Sequence, residues 1–256
     1  MRWAAAALLA AGCSAALPAV RPTAEEEARG RAMAEAACRA HGGADWRARW
    51  RAIGGVRAHV RIVDPLGFYP ADGNWLLDPA RNRALVRFWS RRGPVEWRYD
   101  GARATILVGG ACSSTPGERR LIGGLVSNFL YWFGVPFKFL DEGAHPSDAG
   151  GGRFLVTYRG VGETPDDWFL AETDAAGRLA RITYVSSVLS RYLQFRGEFR
   201  AYRDFGGFAV ATERSFGARS QAARGVLAPV EHHVLDVETG LALDDAFFAA
   251  PPGCDP

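Results

Sequence analysis

From Val56 onward the chain alternates between apolar and polar positions. "VRAHVRIV" does so, and "RALVRFWS" follows the turn signal Asp78-Pro79. "VEWRYDG" puts Val95, Trp97 and Tyr99 on one side and Glu96, Arg98 and Asp100 on the other. A period of two belongs to a strand with one dry face. Asp100-Gly101 is a two-residue hairpin signal, and "ARATILVGG" reads as the returning strand. The pattern predicts an antiparallel meander, apolar on one face and wet on the other.

The period lengthens to that of a helix in two places. At the front, Thr23 and Glu26 have capping-box spacing, and Glu25 to Glu27 fall where the helix dipole favours acids. Met33, Ala36, Ala37 and Ala40 form a narrow apolar stripe, and Gly42-Gly43 supplies the stop. One helix is expected from Ala24 to His41, with "DWRARWRAIGG" as a second helical piece or turn. In the middle, Leu121, Leu125, Phe129, Trp132 and Phe133 recur at helical spacing, which predicts a helix from about Glu118 to Phe133. Val126, Leu130 and Tyr131 add apolar groups on its other faces. A helix this apolar is either a buried plug or a lid over something apolar. Gly134 and Pro136 end it, and "PFKFLDEG" is expected to begin a strand or edge.

Strand patterns resume in "RFLVTYRGV", "DWFLAETD", "RLARITYVSS", "GEFRAYRDF", "FAVATERSF" and "VEHHVLDVE". Turn residues 174–177 and Gly206-Gly207 join successive pairs as hairpins. "HPSDAGGGR", residues 145–153, is expected as a surface loop. The count is about ten strands at regular spacing, with no internal repeat and no linker inside residues 46–250. The fold expected is mainly β with helices: an open antiparallel half-barrel, an N-terminal helix and a central apolar lid helix. Residues 23–256 are expected to form one domain.

Composition narrows the function. The formal charge is +3, and arginines are interleaved with Asp and Glu, so no basic stripe for nucleic acid is present. No apolar run reaches the roughly 18–20 residues of a membrane helix. Fifteen Phe, eight Trp and seven Tyr suit either a β-rich core or an aromatic-lined hollow. Near the start, "LLAAGCSAA" sets small residues before Cys13, after the short apolar stretch Trp3 to Ala11. Residues 1–12 read as a signal peptide, Cys13 as a lipid attachment site, and residues 13–22, with Pro18 and Pro22, as an extended tether. Ser14-Ala15-Ala16 offers an ordinary cleavage site as a competitor. Of the other cysteines, Cys38, Cys112 and Cys254 allow one disulfide, and their spacing leaves the pair open.

Catalytic chemistry is thinly represented. His232 and His233 are adjacent in a strand and point to opposite faces, so a regular strand cannot bring both to one metal. His145 with Asp141, Glu142 and Asp148 reads as a solvated loop, and Asp166-Asp167 as a polar turn. Neither a nucleophile elbow nor a zinc-protease helix nor a phosphate loop occurs. No metal and no cofactor are expected. A hydrolase using His145 or His232 is kept only as a minor alternative.

The order of elements resembles the lipoprotein localisation factors, the LolA/LolB-like superfamily. "DPARNRALVRFW", "YDGARATIL", "VPFKFLDEG" and the closing "DDAFFAAPPG" are similar to stretches of that superfamily, and the resemblance spans about residues 24–253. It implies an unclosed antiparallel barrel with helices lidding an apolar hollow. It also implies a location at the periplasmic face of the envelope, and binding of lipid or lipoprotein acyl chains without covalent chemistry. A lipidated Cys13 followed by Ser14-Ala15 leans to an outer-membrane anchor by the same resemblance. The ligand lining expected is Trp97, Tyr99, Leu125, Phe129, Trp132, Phe133, Phe137, Phe139 and Tyr158. The rival expectation is a structural or stress-sensing lipoprotein with a filled interior and an envelope protein partner.

Overall fold

The computed structural model describes residues 21–113, 115–158, 167–186, 190–219 and 229–254. The expected signal peptide, Cys13, most of the tether and Asp166 lie outside the described residues. Helix α1 spans Ala24–Gly42, α2 Trp46–Arg51 and α3 Pro116–Gly134. Six strands form the first meander: β1 Gly55–Val63, β2 Asp72–Asp78, β3 Arg83–Ser90, β4 Gly93–Tyr99, β5 Ala104–Val108 and β6 Ala111–Cys112. Seven follow α3: β7 Ala144–Asp148, β8 Arg153–Tyr158, β9 Trp168–Thr173, β10 Leu179–Ser186, β11 Ser190–Phe205, β12 Phe208–Ala218 and β13 Val230–Leu241. They make one antiparallel sheet, not closed, in the order β6-β5-β4-β3-β2-β1-β13-β12-β11-β10-β9-β8-β7.

The sheet thus has 13 strands where about ten were expected. The three additions have local causes. Strand β2, "DGNWLLD", opens on Asp72-Gly73, which reads as a turn. Strand β6 is two residues long. Strand β7 lies within the stretch expected as a loop, and carries Pro146 at the sheet edge, where no outward donor is needed. Only residues 149–152 of that stretch form the turn. The expected strand at "PFKFLDEG" is instead a 3-10 turn, Phe137–Leu140, begun by Pro136.

The helix stripes agree with expectation in part: Ala37 in α1 and Phe129, Trp132 and Phe133 in α3 are buried as expected, and the other expected positions are not. In α1 the buried positions are Gly30, Ala34, Ala37, Cys38, His41 and Gly42, while Ala36 is exposed. In α3 they are Ile122, Val126, Phe129, Leu130, Trp132, Phe133 and Gly134; Leu121 is 47% exposed and Leu125 half-buried. The α1 capping box of Thr23 and Glu26 is as expected. Helix α3 has one too, from Thr115 and Glu118, with Pro116 in the first turn.

Contacts divide the chain into two compact units. The first comprises the described parts of Met1–Trp46, Pro136–Tyr202 and Glu213–Glu231. Here α1 lies on β7 and β8. Arg29 Nε donates to Asp148 at 2.8 Å, His41 Nε2 accepts from the Leu179 N–H at 3.1 Å, and the Cys38 thiol donates to the Pro136 carbonyl at 3.6 Å. Tyr158, Phe169, Tyr184 and Phe195 form an aromatic ladder across β8 to β11, with centroids 5.9, 6.0 and 5.6 Å apart.

The second unit comprises Arg47–Val135, Arg203–Thr212 and His232–Pro256, so far as described. Its meander has two different faces. Ala58, Trp75, Val86, Trp97 and Ile106 pair in one row across β1 to β5, and none is more than 8% exposed. The opposite face carries Arg57, His59, Arg87, Glu96 and Arg98. The C-terminal segment crosses that polar face. Arg98 donates to the carbonyls of Ala246 and Ala249, Arg83 bonds Asp245 and lies 4.5 Å from the Phe248 ring centre, and a disulfide joins Cys112 to Cys254. That settles the pairing, with Cys38 remaining a buried thiol.

Candidate functional site

The most aromatic layer of the second unit lies between α3 and the apolar face of the meander. Helix α3 packs on β3, β4 and β5. Its first half lies beside Tyr99 and Ala104: a methyl on Gly123 would meet them at the ordinary contact distances of 3.7 and 3.8 Å. Farther along, Phe129 stacks on Trp75 with centroids 3.9 Å apart, and tilts against the ring of His232 at 5.5 Å. Tyr69 stands edge-on to His232 at 5.7 Å and donates its hydroxyl to the Leu125 carbonyl at 3.4 Å. Burial pushes the Tyr69 phenol up, and the Asp64 carboxylate adds to it, so Tyr69 stays a neutral donor. Trp97 meets Phe88 edge-on at 4.9 Å. The Tyr99 hydroxyl caps the Gly101 carbonyl at 3.0 Å.

No group of metal-binding side chains occurs among the described residues. Elsewhere on the second unit, an open groove of about 790 Å³ runs along the polar face, past Asp72, Asn74, Arg87, Trp89, Pro94 and Pro251. The β1–β2 loop holds another exposed feature. Asp64 accepts from the backbone N–H groups of Leu66, Phe68 and Tyr69, which fixes Leu66 and Phe68 with 56% and 47% exposure. No helix among the described residues is long and apolar enough to cross a membrane.

No protein-family model and no curated protein matches this sequence. Solved structures do match. The chain is similar to a LolA superfamily protein from Nitrosomonas europaea, with TM-score 0.50 at 11% identity over 86% of this chain and 97% of that one. The fold is LolA-like. A DUF1329 family protein from Desulfovibrio piger aligns over 86% of this chain and 97% of its own, with TM-score 0.43 at 9% identity.

Within this LolA-like fold the expected lining falls into two sets. Trp97, Tyr99, Leu125, Phe129, Trp132 and Phe133 belong to the second unit, on the meander and α3. Phe137, Phe139 and Tyr158 belong to the first. There Phe137 stacks on Trp46 at 5.7 Å, Phe139 meets Phe154 edge-on at 5.7 Å, and Tyr158 donates to the Lys138 carbonyl at 3.0 Å. Trp75, Tyr69 and His232 complete the α3 layer and lie outside the expected lining. Trp75 hides in the unrecognised β2. The pattern offers His232 as a metal ligand or a hydrolase residue, although its place in an alternating strand already puts it on a dry face. In the first unit Arg214 is buried on β12, and burial pushes its guanidinium down to about 10, with Tyr202 acting against that shift.

Proposed function

We propose that this chain is a cell-envelope protein that reversibly binds lipid or lipoprotein acyl chains under α3, without covalent chemistry. The observation that carries this is the build of the α3 layer. A helix whose buried stripe is Ile122, Val126, Phe129, Leu130 and Phe133 covers a row of Ala58, Trp75, Val86, Trp97 and Ile106. An acyl chain entering there exchanges one apolar contact surface for another and loses about 0.8 kcal/mol of water exposure per methylene. The LolA-like fold supports the same reading. So does the fixed apolar tip of the β1–β2 loop, which suits work beside a lipid surface. Lipidation at Cys13, export to the periplasmic face and an outer-membrane anchor complete the proposal.

The test is titration of purified protein with a fluorescent fatty acid, followed by competition with phospholipid and with a lipopeptide. Saturable binding that both competitors reverse is the expected result. Absence of binding by folded protein, with α3 amides exchanging only on global unfolding, would reject it. Mass spectrometry of the protein from its membrane fraction reads the acylation of Cys13 separately.

A second reading is favoured by one feature. Trp75, Val126 and Phe129 are fully buried, so the layer is closed by its own side chains. A permanently filled interior would make the chain a structural or stress-sensing lipoprotein with an envelope protein as partner. The exchange of α3 amides separates the two readings.

A further inference from the structure

Trp75 carries an unused donor. It is fully buried, and its Nε1–H has no acceptor among the described residues. A buried N–H in that condition has given up its hydration for nothing. Phe129 covers a face of the indole, with 24° between the planes, and so leaves the N–H edge alone.

There is room at that edge. Gly73 lies on the same face of β2, two residues before Trp75. A methyl on Gly73 would sit 3.5 Å from Trp75 Nε1, 3.4 Å from the Arg87 carbonyl oxygen and 3.7 Å from Phe88 Cβ. All three are ordinary contacts, so the space beside the N–H has the size of one methyl group or one oxygen atom.

The surroundings decide what kind of acceptor fits. Val86, Trp97 and Phe129 make this face apolar. A phosphate or carboxylate oxygen would bring an uncompensated charge into it, at a large desolvation cost. A neutral carbonyl oxygen brings none. An acyl chain linked as an ester or amide carries that group at one end, within reach of an apolar layer that takes the chain.

We infer that the hollow between Gly73 and Trp75 receives the carbonyl oxygen of an acyl ester or amide, with Trp75 Nε1–H as its donor. This rests on the acyl-binding reading above and names the group of the ligand that is recognised. Phospholipids and lipoprotein N-termini both carry it.

The experiment uses the purified chain with ¹⁵N-labelled tryptophan and three probes. These are a diester phosphatidylglycerol, its diether analogue with the same chains, and a synthetic diacyl lipopeptide. Binding of the diester about tenfold tighter than the diether is expected, as one hydrogen bond in a dry site provides. The Trp75 indole N–H resonance should move with the diester and stay in place with the diether. Gly73→Ala keeps the indole and fills the hollow, so it should bring the diester down to the diether's affinity; Trp75→Phe should do the same. Equal affinity of diester and diether, with the Trp75 resonance unmoved, overturns this inference and leaves the acyl-binding reading standing. Failure of all three probes overturns both. Tighter binding of the lipopeptide than of the diester identifies lipoprotein as the source of the carbonyl, and the reverse order identifies phospholipid.

Discussion

The rings of Trp75 and Phe129 lie stacked, 3.9 Å apart at their centres, and both are fully buried. One belongs to the meander and the other to α3, so this contact bolts the helix to the sheet. Phe129→Ala removes the bolt and leaves a cavity. The expected loss is about 3–5 kcal/mol of unfolding free energy, read from urea denaturation. The same variant should bind small apolar probes such as benzene more tightly than the parent, since the space left beside Trp75 and His232 has mainly apolar walls.

Gly124 gives the opposite outcome. Nothing lies within 4 Å of where its methyl would be, so alanine there gains helix propensity at no steric cost. Gly124→Ala should raise stability by about 1 kcal/mol, a rise of roughly 2–4 °C in Tm. If acyl chains enter by moving α3, the stiffer helix should also slow probe exchange without changing the residues that touch the probe. Stopped-flow displacement reads that rate.

Gly30 is the tightest joint in α1. A methyl on it would fall 2.3 Å from the backbone of Ser147 in β7. Backbone cannot give way as a side chain can, so α1 would have to lift from the sheet edge. Gly30→Ala is expected to cost about 2–4 kcal/mol. Faster proteolysis between α1 and β7 than in the parent would confirm that the helix has detached.

These glycines show which parts of the fold the sequence reveals. Alternation in "VEWRYDG" and turn chemistry at Asp100-Gly101 and Gly206-Gly207 are local signals, and the strands and hairpins they predict are present. The faces of α1 and α3 are not local. The apolar stripe of α1 includes Ala36, which is exposed, because close approach to β7 selects the residue without a side chain, Gly30. In α3 Leu121 faces out, and its equally apolar neighbour Ile122 packs inward. The candidate site divides likewise. Phe129, Trp97 and Tyr99 follow from periodicity, whereas Trp75 sits in a strand that begins with turn residues. The Cys112–Cys254 pair joins positions 142 residues apart, and nothing in their spacing distinguishes it from the other two pairs.

That disulfide ties the C-terminal segment to β6. A loop of that length implies a stabilisation of up to about 5 kcal/mol on the chain-entropy account. Reduction, or the Cys112→Ser and Cys254→Ser double variant, should lower Tm by several degrees. The first amides to lose protection should be those of 245–254, which polar contacts from Arg81, Arg83 and Arg98 would still hold. Cys38 should remain inaccessible to thiol reagents in both forms until the chain unfolds.

Acid should release the same face by a second route. Glu96 lies between Arg87 at 2.7 Å and Arg98 at 2.6 Å. Burial alone would raise its pKa, but the hydrogen bonds from Arg87 and Arg98 outweigh that, and its carboxyl ionises below the usual range. Asp245 is lowered too, chiefly by its hydrogen bond from Arg83. A carboxyl whose folded pKa is depressed binds its proton more readily when unfolded. Its contribution is therefore complete above the ordinary value of 4.5 for Glu96 and 3.8 for Asp245, and it fades as pH falls through the lower folded values. Glu96 is partly solvated, so its contribution should be under about 1 kcal/mol. Glu96→Gln keeps the shape and removes the titration. Its stability should be lower than the parent's at pH 7, and the two curves should converge as pH falls below 4.5. A variant curve parallel to the parent's down to pH 3 would show that the carboxylate is not held by its two arginines.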